Sequence, residues 1–224
     1  MLSRVYLGLP VWNRPDWAGE LFPASTPAGE RLAAYARIFN AVEGNTTFYA
    51  TPPAATVERW LAQTGPEFRF CFKLPRSVTH DRMLVNAGRE LEAFMAVLEP
   101  LASRLGPVLV QLPPRFGPRQ LPVLEDFVLS LPPWAPYAVE VRHLGFFAGA
   151  AQVELDAMLA ELGVDRAILD TRGVHEPFAA GADPGGADPA LLEAHQRKPV
   201  LPAPAIVTGR RPVLRYVANP ELAA

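Results

Sequence analysis

The side chains able to move protons or grip charge recur at the ends of short apolar runs. Glu43 and Asn45 close one run, Lys73 a second, Gln111 a third, Glu140 and Arg142 a fourth, Asp170 a fifth and Arg215 a sixth. Carboxylates in unlike surroundings can divide the roles of general acid and general base, because environment drives their pKa values apart. Glu43 and Glu140 are the candidates for those roles, with Asp170 as a third acid. Lys73, if desolvated beside an acid, suits a proton donor, an anion clamp or a Schiff-base amine. Arg142 and Arg215 suit a bidentate grip on a carboxylate or phosphate. Asn45 and Gln111 suit the orienting of polar substrate groups. His80, in Thr79-His80-Asp81, and His143 stand just past their runs, where a proton shuttle fits. His80 is grouped with the catalytic candidates and His143 with the binding ones. Trp12 and Trp17 in the first loop, and Phe48 and Tyr49 in the second, are candidate pocket walls, although packing commonly explains such aromatics.

Three acids (Glu43, Glu140, Asp170) thus face three bases (Lys73, Arg142, Arg215), the balance that a partly buried site needs. A structural network needs the same balance, with Glu43 on Lys73 and Asp170 on Arg142 or Arg215. The acids together with His80 and His143 also supply the ligand types of a divalent metal. No pair among them has a diagnostic spacing, so no cofactor is assigned and a divalent metal stays an alternative. The single cysteine, Cys71, lies deep in its run and reads as a buried thiol.

The elements that would position these groups are legible from periodicity. The runs Arg4–Leu9, Ala41–Asn45, Phe68–Leu74, Pro107–Leu112, Tyr137–Arg142, Val164–Asp170 and Pro212–Val217 are short and rich in Val, Phe and Tyr, which predicts strands. Stripes at helical spacing lie between them: Leu32/Tyr35/Ala36/Phe39, Val57/Trp60/Leu61, Leu91/Phe94/Leu98/Leu101/Leu105 with Pro100 kinking or splitting it, Leu121/Leu124/Val128/Leu131, and Leu155/Met158/Leu159/Leu162. The stretch Arg172–Pro189 reads as a surface loop, Pro189–Arg197 as a short helix and Pro199–Pro204 as a stiff run. Residues two apart on a strand share a face. Phe68, Phe70, Phe72 and Leu74 therefore belong under helices, and Arg69, Cys71 and Lys73 on the opposite face.

Alternating strands and helices predict right-handed βαβ units on a parallel sheet, either open and doubly wound or closed as a (β/α)8 TIM-type barrel. The first turn, Gly8-Leu9-Pro10-Val11-Trp12, lacks the dinucleotide fingerprint, and no P-loop, HExxH, CxxC or GxSxG pattern occurs. Polar residues at the carboxyl ends of strands fit the barrel, whose sites lie at that mouth. Seven strands are countable. The expectation is a single α/β-barrel domain over residues 1–224, C-terminally incomplete, with its eighth βα unit missing.

Composition narrows the function classes. The chain has 224 residues, 50% hydrophobic and 20% charged, with net charge −2, which excludes a disordered chain. No apolar run approaches the ~20 residues of a membrane span, and the chain opens on a strand-like segment rather than a signal peptide. No basic stripe exceeds Arg210-Arg211, which argues against nucleic acid as a partner. Arginine outnumbers lysine 19 to 2, so Lys73 stands where arginine was the easy choice.

Four blocks resemble a known family. They are Tyr35–Tyr49 (YARIFNAVEGNTTFY), Phe68–Arg76 (FRFCFKLPR), Leu105–Pro114 (LGPVLVQLPP) and Tyr137–His143 (YAVEVRH). Together they are similar to the YecE-like family, the bacterial and archaeal group filed as domain of unknown function seventy-two, and the likeness runs from about Arg4 to Leu222. The resemblance implies a TIM-type barrel and a cytoplasmic setting, and brings no established activity. Members similar to this chain continue past Asn219–Leu222 into further elements, which is why the chain reads as shortened.

The functional expectation is an enzyme doing general acid/base chemistry on a small polar anionic or phosphorylated molecule at the mouth of the barrel. The alternatives are a non-catalytic barrel binding a metabolite or partner, and a metal-dependent phosphoester hydrolase. The oligomeric state is not legible.

Overall fold

The computed structural model describes residues 4–179 and 188–217. They form a mixed α/β fold with short parallel strand pairs, gathered into two compact units: Met1–Gln111 with Leu129–Tyr137, and Leu112–Val128 with Ala138–Ala224.

The first unit holds α1 (Arg31–Tyr35), β1 (Ala41–Gly44), α2 (Ala54–Gln63), β2 (Arg69–Phe72), α3 (Gly88–Leu98) and β3 (Val108–Gln111). β1 and β2 pair in parallel with Glu43 opposite Cys71 and Gly44 opposite Phe72. Just beyond β2, Lys73 pairs with Leu109, and Leu74 N donates to Leu109 O at 3.0 Å. The predicted alternation is visible in burial. Phe68, Phe70, Phe72 and Leu74 are at most 4% exposed, while Arg69, Cys71 and Lys73 are half-buried. Trp60 of α2 stacks over Phe70 and Phe72 at 6.1 and 5.2 Å, so the aromatic face does lie under a helix. After α3, Pro100 falls in a 3-10 stretch, Glu99–Arg104, where the ring removes a helical N–H and splits the stripe as expected.

The first predicted strand differs. The run Arg4–Leu9 lies beside β1 without becoming a strand. Ala41 N and Glu43 N donate to Leu7 O and Leu9 O, but the run's own N–H groups go to side chains. Leu7 N meets Asn40 Oδ1 at 2.7 Å, and Leu9 N meets the Tyr35 hydroxyl at 2.6 Å. Gly8 is required by this contact, since a Cβ there would stand 2.1 Å from Ala41 O.

The second unit holds most of α4 (Leu121–Leu129) and β4 (Tyr137–Glu140). It also holds α5 (Gly149–Glu161), β5 (Asp165–Arg166), β6 (Ile168–Asp170), α6 (Arg172–Ala179), α7 (Pro189–Arg197) and β7 (Leu214–Tyr216). The single strand expected over Val164–Asp170 is two. Ala167 N donates to Val139 O and Ile168 N to Val213 O, so successive residues serve different neighbours. β5 then pairs with β4, and β6 with β7.

The loop expected at Arg172–Pro189 is corrected over its first part, where Arg172–Ala179 is α6 despite Gly173 and Pro177. Tertiary contacts overrule composition there. Asp170 Oδ1 accepts from Arg172 N at 3.1 Å, Val174 is fully buried, and His175 meets His195 of α7. Residues 180–187 lie outside the described residues. Pro189–Arg197 is helical as expected, capped by the Asp188 carboxylate. The Pro199–Pro204 run has no regular structure and is held by Thr171 Oγ1 donating to Pro199 O at 2.9 Å. No described helix is long and apolar enough to cross a membrane.

Candidate functional site

In the first unit, strand register assembles the candidates. Paired residues in parallel strands share a face. Glu43 opposite Cys71 and Lys73 opposite Leu109 thus put Glu43, Lys73 and Gln111 on one side of β1–β3, with Asn45 opening the 3-10 turn Asn45–Phe48 directly after β1. Lys73 Nζ lies 3.3 Å from Glu43 Oε1, with the side chains only 13% and 18% exposed. The Thr47 hydroxyl, fully buried, lies 2.9 Å from Lys73 O and 3.0 Å from Gly44 O, tying the turn after β1 to the end of β2. Asn45 Nδ2 donates to Pro10 O at 2.9 Å, which aims its Oδ1 elsewhere; that oxygen is buried with no hydrogen-bond partner. Gln111 is 6% exposed, and its Oε1 is also buried without a partner.

The loop candidates divide. The His80 ring packs edge-on to Phe48 at 4.9 Å, with Nδ1 2.9 Å from Thr79 Oγ1, inside a single π-helical turn over Ser77–Asp81. Trp12 meets Trp60 edge-on at 5.6 Å, so it is tied to the aromatic core. Trp17 stacks on Tyr35. Tyr49 is 77% exposed.

In the second unit, Glu140 at the end of β4 has no exposed side-chain surface. Its Oε1 accepts from Arg142 Nε at 2.8 Å, and its Oε2 accepts from Arg215 Nη1. Charge-assisted bonds of this kind are among the strongest a protein makes. The contacts described for Asp170 come from a third arginine. Arg172 holds it from the start of α6, Nε to Oδ1 at 3.0 Å and Nη2 to Oδ2 at 2.8 Å. Those bonds hold its carboxyl below the usual carboxylate range, against the opposing effect of burial. Where the sequence suggested Arg142 or Arg215 as the partner of Asp170, the contact described is with Arg172.

His143 is engaged by the local backbone. Its Nδ1 accepts from Gly145 N at 3.0 Å, capping the 3-10 turn Leu144–Phe146, and its ring lies against Gly117, where a Cβ would come within 3.1 Å. Among the described residues, no three His, Cys, Asp or Glu side chains gather as metal ligands do.

Residue types alone did not single out Arg172, Thr47 or the pair His175 and His195, whose Nδ1 atoms are 3.0 Å apart. The i, i+2 spacing of Asp170 and Arg172 was the available signal, masked by the glycine- and proline-rich stretch that follows.

A mixed α/β chain with parallel strand pairs and polar groups gathered at strand ends is the class that fold and site define. Residues 6–224 match the family model described as "Protein of unknown function DUF72", and the chain belongs to that family. It is 41% identical over 219 residues to the UPF0759 protein YecE of Escherichia coli K12, spanning 97% of this chain and 75% of that one. It is 33% identical over 118 residues to the UPF0759 protein YunF of Bacillus subtilis 168, spanning 50% and 41%. A DUF72 protein structure from Thermotoga maritima aligns with TM-score 0.62 at 28% identity, covering 75% of this chain and 65% of that one. A DUF72 protein from Enterococcus faecalis V583 aligns with TM-score 0.66 at 22% identity, covering 94% and 72%, and a second structure of an Enterococcus faecalis DUF72 protein is covered over 60% of its length.

Proposed function

We propose that this chain is an enzyme of general acid/base chemistry acting on a small polar anion, with Arg142 and Arg215 as the anion grip. One observation carries the reading: a single fully buried carboxylate, Glu140, is shared by two guanidiniums. Orientation by a buried carboxylate takes few of the five N–H donors that each arginine carries, so Glu140 fixes the two guanidinium planes at little cost to their use on a second anion. Planar guanidiniums match carboxylate and phosphate oxygens bidentately. With both oxygens engaged, Glu140 positions the arginines rather than moving a proton. Within the first unit, taken by itself, Glu43 and Lys73 are the acid/base candidates, since their close, half-dry contact is an arrangement in which a proton can be exchanged. The alternation of helices with parallel strands supports the TIM-type barrel as the architecture of the family fold, and the setting is proposed to be cytoplasmic.

The test is a thermal melt of the chain with carboxylic acids, sugar phosphates, nucleotides and divalent metals, followed by turnover assays on the class that responds. An anion class that raises the melting temperature in the parent chain but not in Arg142→Ala or Arg215→Ala supports the grip. Turnover lost in Glu43→Gln with binding retained supports the enzyme; binding with no turnover in the parent chain supports the non-catalytic alternative.

A further inference from the structure

The face shared by Glu43, Lys73 and Gln111, with Asn45 directly after β1, has a composition that selects among neutral ligands. Asn45 Oδ1 and Gln111 Oε1 are buried acceptors without partners, and Gln111 as a residue is more than nine-tenths buried. Asn45 cannot be turned to relieve its oxygen, because its Nδ2 is fixed on Pro10 O. Gly44 lies opposite Phe72 and Lys73 opposite Leu109, so Asn45, the residue after β1, and Gln111, the last of β3, belong to the segments on either side of Lys73, with adjacent strands about 4.8 Å apart. Two acceptors therefore flank an ammonium that is itself paired with a carboxylate.

Each group constrains the ligand. The two amide oxygens require hydrogen-bond donors. The Lys73 ammonium donates and repels a cation, which removes amines and guanidines as the source of those donors. The Glu43 carboxylate accepts and repels an anion at the same spot. A hydroxyl both donates and accepts at a single uncharged atom, whereas a carboxamide divides the two roles between separate atoms. We infer that this face binds a polyhydroxylated segment, as in a sugar or cyclitol, with separate hydroxyls donating to Asn45 Oδ1 and Gln111 Oε1. The inference deepens the reading of this face as a substrate site and does not depend on the anion grip of Arg142 and Arg215.

The experiment is calorimetric titration of the untagged chain with D-ribose, D-glucose and myo-inositol. Polyols stabilise proteins generally by exclusion from the surface, so a saturable heat is the readout. At least one of the three is expected to bind saturably, and about tenfold or more weaker in Gln111→Leu and in Asn45→Leu. Gln111→Leu is also expected to melt no lower than the parent, since it removes a buried acceptor that has no partner. In the parent chain, the side-chain amide resonances of Asn45 and Gln111 should shift on titration, a readout that needs no variant to fold. No saturable heat at tens of millimolar with any of the three, equal binding in both variants, or unmoved amide resonances would each overturn the inference. Inorganic phosphate, run in parallel, reads the Arg142 and Arg215 grip separately, so polyol failure beside phosphate binding overturns this inference alone.

Discussion

Arg215 donates to the Glu140 carboxylate across 75 positions of sequence, and that carboxylate has no exposed surface at all. The contact ties the end of β4 to β7, whose backbones pair with β5 and β6 respectively. Removing one member of a buried pair leaves the other uncompensated, at about 3–5 kcal/mol. Glu140→Ala is expected to melt about 6–20 °C lower, at about 2–4 °C per kcal/mol for a chain of this size. The double variant Glu140→Leu/Arg215→Leu should recover part of that loss, and a thermodynamic cycle over the two sites measures it.

Tyr35 is the corresponding anchor of the first unit. Its hydroxyl accepts from Leu9 N and donates to Ala41 O at 2.9 Å, and burial pushes its pKa up to about 12. Tyr35→Phe deprives both backbone groups of a partner, which costs about 1–3 kcal/mol. Chemical denaturation should show that loss with little change in slope, because the surface exposed on unfolding is unchanged.

Two acids pull stability in opposite directions with pH. Asp170 sits below its ordinary value of 3.8, chiefly through its side-chain bonds to Arg172, so the stability it contributes is present above 3.8 and lost as pH falls from there through the lower folded value. Burial raises Asp165 above 3.8, so its protonated form is favoured by folding and stability is lost as pH rises through the folded value. Melts across the acid range should therefore show Asp170→Asn losing its deficit against the parent as pH falls. Asp165→Asn should compare more favourably with the parent at neutral pH than in acid.

The α6–α7 contact should loosen in mild acid. His175 and His195 face each other through Nδ1 atoms 3.0 Å apart, an arrangement that needs one ring to lack its Nδ1 proton. Burial, then the neighbouring His195, lowers His175 from 6.5. Its stabilising contribution is complete above 6.5 and is lost as pH falls through that value toward the lower folded one. Hydrogen exchange in α6 should accelerate over that window, and His195→Phe should flatten the dependence.

The sequence made the strand faces legible because alternation is local. The Phe68–Leu74 pattern implied both the aromatic face under α2 and the polar face carrying Lys73, and the Glu43–Lys73 contact followed as one of two readings. Partners set by tertiary geometry were not legible. Nothing local tells Asp170 to choose Arg172 over Arg142 or Arg215, or gives Glu140 two arginines. The Arg4–Leu9 run failed as a strand because Asn40 and Tyr35 side chains take its N–H groups, a competition that no window of hydropathy registers. Arg172–Ala179 failed as a loop because burial of Val174 and the contact of His175 with α7 outweigh glycine and proline.

Calorimetric titration of inorganic phosphate and a small dicarboxylate into the chain and into Arg142→Ala and Arg215→Ala tests the anion grip most directly. A ligand at a hundred times its Kd adds about 2.7 kcal/mol of stability, so a parallel melt gives an independent reading of roughly 5–10 °C. The account predicts saturable binding of at least one anion by the parent chain, lost in both arginine variants. Anion binding that survives in both, or no binding by a folded parent chain, would contradict it.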